Sequence, residues 1–163
     1  MASEVISTAL LMIATVVAAV ALINAVFPSI YGMSDSIQSV TNNVNDRMKT
    51  EIQFIYETPD SSGNSLAAWV KNTGQTQITP GELNDSDLFI SDANGVMQLA
   101  SLNSSTAPCW TYTIENGNGN GIWGPGETLE INLNANQTFV QGNNYDIRLV
   151  LYNGAYCEDS FSV

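Results

Sequence analysis

The sequence predicts an α+β chain: a long N-terminal hydrophobic helix followed by an antiparallel, immunoglobulin-like β-sandwich. Three observations predict it. No charged residue occurs from Val5 to Met33. Apolar residues then recur at Ile37, Val40, Val44 and Met48, at the helical spacings of three and four. From Lys49 the pattern changes to short apolar or alternating runs set between clusters of Gly, Asn, Pro and Ser. The composition demands such a division. The 163 residues carry 16 acidic and 4 basic side chains, for a net charge of -12, yet mean hydropathy is near zero. One part must be very apolar and another very acidic.

The helix comes first. Its interior, Ala9 to Phe27, is Ala, Val, Leu, Ile and Met broken only by Thr15 and Asn24, and it exceeds the ~20 residues that cross a bilayer. A cleaved signal peptide would show a basic start and an apolar core of only about 7–15 residues. A buried soluble helix would need a larger and less polar partner domain to cover it. An uncleaved membrane-spanning helix fits better than either. Pro28 should bend the helix rather than end it, since it removes one donor and crowds the turn before it. The stripe from Ile37 to Met48 extends the helix in amphipathic form, which gives about 45 residues in all and about 68 Å of length. Residues 1–48 form this transmembrane and assembly segment, and residues 49–163 form the head. A helix of this kind asks for other copies of itself or for related chains.

The strands follow in order. Glu51 to Glu57 alternates with Ile52, Phe54 and Tyr56 on one side, although Ile55 keeps a helical reading open. Leu66–Val70, Leu88–Ile90, Val96–Leu99, Trp110–Ile114, Thr128–Leu133, Tyr145–Tyr152 and Ala155–Val163 read as further strands. Short strands at this spacing suggest an antiparallel sandwich. No internal repeat is seen.

Several function classes fall away. The acidic balance excludes nucleic acid as a partner, because phosphate binding needs clustered Lys and Arg. The chain has no histidine, which removes His-based triads and the commonest zinc ligand. With no Ser-Lys or paired-carboxylate motif, an enzyme is not expected.

Three features of the head invite a specific chemistry. The segment from Asn116 to Glu127 has the spacing of a calcium loop, with Asn116, Asn118 and Asn120 as side-chain ligands, Gly121 at the turn, the Ile122 carbonyl and a closing Glu127. Glu127 alone is anionic, so any calcium affinity would be weak, near 10⁻⁴–10⁻³ M. A plain Asn/Gly hairpin turn explains the same residues. Cys109 and Cys157 suggest a disulfide if the head lies outside the cell, and a pair of separate buried thiols otherwise. Asn84, Asn103 and Asn136 each open an N-x-S/T acceptor sequence for glycosylation. Arg47 and Lys49, on the C-terminal side of the helix, would by the positive-inside rule place that side in the cytoplasm. The acidic head, the acceptor sequences and the cysteines argue for the outside, which is the orientation adopted.

Four segments carry a resemblance: MASEVISTALLMIATVVAAVALINAVFPSIY at the start, NDRMKTEIQFIYE from Asn45, AAWVKNTG from Ala67, and GIWGPGETLEI from Gly121. Together they resemble the archaeal flagellin (archaellin) superfamily and, within it, the accessory or stator group lettered F and G, with the G-type most similar. The resemblance implies a type IV pilin-like architecture and a structural, non-catalytic role in the archaellum. It implies assembly through the helix and anchorage of motor or filament to the envelope and its surface-layer protein. Filament-forming members carry a short basic leader that a peptidase removes. Nothing like one precedes Val5, which favours the stator-like proteins over a filament-forming archaellin or adhesive pilin. Glu4 corresponds to the acidic residue that in such proteins pairs with a neighbour's terminal amine. It also suits a headgroup position at a helix N-terminus. A membrane-anchored calcium- or glycan-binding module is the reading from a different class.

Overall fold

The computed structural model describes residues 2–60 and 63–163. Helix α1 spans Ala2–Lys49, about 72 Å at the α-helical rise, and runs through Pro28 without ending. None of its described side chains is buried. Leu11, Val16, Leu22 and Met33 each expose more than 60% of their surface. Such a surface is stable only against lipid or other helices. The hydroxyls of Thr8, Thr15 and Ser36 donate to the Glu4, Met12 and Gly32 carbonyls, at 2.7, 2.8 and 2.8 Å. These three hydroxyls are thus satisfied within the helix, as an apolar surrounding requires. Two compact units divide the chain, one reaching to Val44 and the other spanning Asn45–Val163. The second includes the last turn of α1.

Eight strands build the head: β1 (Ile52–Pro59), β2 (Ser65–Asn72), β3 (Asp87–Ser91), β4 (Met97–Leu102), β5 (Cys109–Ile114), β6 (Thr128–Asn134), β7 (Asn144–Val150) and β8 (Tyr156–Ser162). They form one sheet in the order β1-β2-β6-β5-β4-β3-β7-β8. Every pairing is antiparallel except the short parallel contact of β4 with β5. The sheet folds over on itself, and Leu66, Val70, Leu129 and Ile131 of one half share a core with Leu88, Ile90, Ile147 and Leu149 of the other. Phe139, Tyr145 and Phe161 form an aromatic cluster in that core, with ring centres 5.0–5.8 Å apart. The sequence reading did not include helix α2 (Pro80–Asn84). Thr79 caps it, Glu82 reaches back to the Thr79 main chain at 2.7 Å, and proline opens its first turn.

The fold brings the two edge strands, β1 and β8, side by side, and no ladder joins them. One expectation fails here for a clear reason. Register shifts between Phe54 and Tyr56, so Ile55 is the extra residue of a β-bulge. Tyr56 turns outward against Trp69, with ring centres 5.7 Å apart, and Glu57 takes the core-facing position opposite buried Ala68. Asp159 on β8 stands opposite buried Ile147. Carboxylates on both edges, Glu57 turned inward and Asp159 exposed, guard an open sheet against pairing with foreign strands. Glu57 Oε1 is shielded from water and has no hydrogen-bond partner among the described residues. Burial first, and the Asp159 charge second, hold the Glu57 carboxyl above its usual range.

That shift has a measurable sign. A carboxyl that binds its proton more tightly in the folded chain makes stability fall as pH rises from the ordinary glutamate value through the raised one. Glu57→Gln should remove this fall and leave the head more stable than the parent above that window. Thermal melts of both proteins across pH 4 to 7 check it. Parallel curves would show that Glu57 titrates as it does in the unfolded chain.

Candidate functional site

Three of the quoted segments meet where α1 enters the head. The helix ends at Lys49, and only Thr50 and Glu51 precede β1. Buried Thr50 donates its hydroxyl to Asp46 O at 2.7 Å and accepts Asn153 Nδ2 at 2.9 Å. The turn after β2 closes over this joint. Gln75 N donates to Lys49 O at 2.8 Å, and Thr73 N and Gly74 N both donate to Glu51 O at 2.9 Å. Gly74 is required by contact: a Cβ there would press on Lys49 O and lie 2.5 Å from Glu51 N.

Asn72 is the hub of the next layer. It is fully buried. Its Nδ2 donates to Thr76 O at 2.8 Å and Trp123 O at 3.3 Å, and its Oδ1 accepts Gly74 N at 3.1 Å. Its main chain bonds Glu127 O and Gly126 N at 3.0 and 2.8 Å. Trp123, also fully buried, exchanges main-chain bonds with Ile78 and donates Nε1 to Glu127 O at 2.9 Å. Tyr152 faces Glu82 of α2 and Asp46 of α1. Burial first, and those carboxylates after it, raise its hydroxyl above the usual tyrosine range. The joint is a hydrogen-bonded clasp that holds the end of the helix in the head. Sequence reading did not single out Asn72, Gly74 or Trp123 as a site, although each lies in a quoted segment.

The Asn/Gly loop is folded on its own main chain. Asn116 Oδ1 accepts Thr128 N at 2.6 Å, Asn118 Oδ1 accepts Asn120 N at 3.2 Å, and Asn120 Oδ1 accepts Ile122 N at 2.9 Å. Glu127 Oε2 accepts Gly124 N at 2.7 Å. These oxygens satisfy turn amides. Among the described residues no cluster of three acidic or cysteine ligands occurs. If the loop is a plain turn, about 10 mM calcium should leave the melting temperature unchanged. A site with Kd near 10⁻³ M would instead add about 1.4 kcal/mol at roughly ten times Kd, a shift that thermal melts resolve.

Cys109 and Cys157, read from the sequence as a disulfide or as separate thiols, are both free thiols in this structure. Cys109 opens β5 just before inward-facing Trp110, between Ser101 and Asn134 of its neighbours. Cys157 faces the core from β8, opposite Leu149. β4, β3 and β7 separate the two strands in the sheet. Burial pushes the Cys157 thiol up to about 12, which keeps it protonated and unreactive. Asn84, Asn103 and Asn136 are all exposed, and Asn103 has a left-handed backbone with φ of 52°. Glu4 lies in the exposed first turn of α1.

A β-head clasped to a long helix with no buried side chain defines an assembly protein, one whose apolar surface is completed by neighbours or lipid. The chain belongs to the archaeal-type flagellin family, whose model matches residues 2–161. It is 38% identical to an uncharacterized protein of Archaeoglobus fulgidus, over 99% of both chains. Among solved structures it is similar to the archaellum periplasmic stator protein FlaG of Sulfolobus acidocaldarius, at 28% identity and a TM-score of 0.58. That match covers 69% of this chain and 99% of that one. The same identity and TM-score recur for the complex of FlaF and FlaG from that organism, covering 69% of this chain and 89% of that one. The archaeal flagellum of Methanospirillum hungatei shares the fold over 97% of this chain and 92% of its own, with a TM-score of 0.71 and 15% identity. The chain is thus an archaellum component of the flagellin family.

Proposed function

We propose that this protein is a non-catalytic, stator-type component of the archaellum that fixes the motor or filament to the cell envelope. In this reading α1 lies in the cytoplasmic membrane and the head lies outside it, against the surface layer. Glu4 pairs with a neighbouring subunit during assembly. The carrying observation is the likeness to the stator protein FlaG, which covers nearly all of that chain at 28% identity. The length and uniform exposure of α1 support the membrane placement.

A second reading, a filament subunit whose helices bundle in the fibre core, draws on the fold shared with the archaeal flagellum along nearly the whole chain. One experiment separates the two: sheared filaments and washed membranes are analysed for this chain, with the mass of its native N-terminus. The stator reading expects it in membranes, with filaments intact but poorly anchored in a deletion strain. Recovery as the main component of sheared filaments, with a trimmed N-terminus, would establish the fibre reading in its place.

A further inference from the structure

The outward faces of the head differ in chemistry. On β5 and β6 the outward positions include Thr111, Thr113, Asn132 and Asn134, all exposed and uncharged. On β4, β3, β7 and β8 an outward row runs Leu99, Phe89, Arg148, Glu158. Beside that row Tyr156 is 56% exposed, and Leu99 itself is 51% exposed. The one cation of this face is already engaged. Arg148 Nε lies 2.8 Å from Glu158 Oε2, and its guanidinium sits 5.5 Å from the centre of the Tyr156 ring. Asp87 and Asp146, directed outward on the same strands, form no ion pair among the described residues, although Arg148 lies two positions from Asp146 on the same face. The face combines exposed apolar side chains with a net negative charge.

The complementary surface lies on the same head. Of the 4 basic residues in the chain, Arg47 and Lys49 occupy the last turn of α1 and Lys71 lies near the end of β2. The bonds from Gln75 N to Lys49 O and from Gly74 N to Glu51 O bring these two segments together. None of the three forms an ion pair among the described residues. Met48, between the two helix cations, is 80% exposed.

We infer that neighbouring copies of this chain dock neck to face: Arg47, Met48, Lys49 and Lys71 of one copy seat on the Leu99, Tyr156, Asp87 and Asp146 surface of the next. The inference rests on the assembly reading above and names its contact. Two such faces cannot pair with each other, because that would oppose carboxylates with no free cation between them. The contact joins unlike surfaces, so it repeats with one polarity along a row of subunits.

Full-length protein in detergent, prepared as a mixture of ¹⁴N and ¹⁵N copies, tests it by zero-length carbodiimide coupling and mass spectrometry. The expected products join Lys49 or Lys71 of one isotope to Asp87 or Asp146 of the other. Their yield should drop as salt rises from about 50 mM to about 500 mM. Lys49→Glu and Leu99→Asp, both at exposed positions, should each weaken association about tenfold. Asp146→Lys copies mixed with Lys49→Glu copies should recover it. Copies that associate undiminished in both single variants, or mixed-isotope products that avoid these residues, overturn the docking and leave the archaellum role standing. A chain that stays monomeric and is absent from archaellum and membrane fractions overturns both.

Discussion

Gly74→Ala is expected to destabilise the head by about 3 kcal/mol and to lower its melting temperature by roughly 10 °C. The added methyl meets main-chain atoms on both sides of the joint, Lys49 O and Glu51 N. Neither can swing aside as a side chain would. Relief requires the turn to withdraw, and withdrawal stretches the bonds from Thr73, Gly74 and Gln75 that close over the end of the helix. The measurement is thermal melting followed by β-sheet circular dichroism, paired with amide hydrogen exchange at Gly74 and Gln75. Faster exchange at these two amides, with β7 protected as before, would locate the damage at the joint. An unchanged melt would mean that the close approach of the turn does not exist in solution.

Trp123→Ala should be costlier, about 4 kcal/mol, because it empties a fully buried indole volume and removes a donor at the same time. Its Nε1 bond holds the Glu127 carbonyl, which also accepts Asn72 N. The loss therefore reaches the Asn72 hub. Trp123→Phe separates the two contributions by keeping most of the volume and deleting the donor, and it should cost about 1–2 kcal/mol. Denaturant unfolding with unchanged slopes would verify both values. Equal costs for the two variants would assign the whole effect to the hydrogen bond.

Much of this architecture was legible in the residues. The uncharged run from Val5 and the Ile37, Val40, Val44, Met48 spacing mark a continuous helix, because helix periodicity survives in composition alone. All eight strands lie where the apolar runs place them, within a few residues. What local pattern cannot encode is a shift of register. Ile55 looked like a break in alternation and is a bulge, and that one inserted residue sends Tyr56 outward and Glu57 inward. Pairing across the sheet is equally hidden. Cys109 and Cys157 invited a bridge because they are the only 2 cysteines, but strand order and facing, which are tertiary facts, keep them apart. Helix α2 was readable from Thr79, Pro80 and Glu82, whose types and spacing spell a cap. The joint was obscured for a chemical reason: asparagine and glycine in AAWVKNTG look like ordinary turn residues. Only the fold shows Asn72 fully buried and Gly74 pressed on the helix end.

The brevity of the link between α1 and β1 has a mechanical meaning. Thr50 and Glu51 have no slack to take up, since side-chain or main-chain bonds hold both in place. Tension applied to the helix would therefore reach the sheet within two peptide units, with no elastic tether to absorb it. The joint itself, from Asp46 to Ile52, should yield by abrupt rupture at a threshold force, without gradual extension.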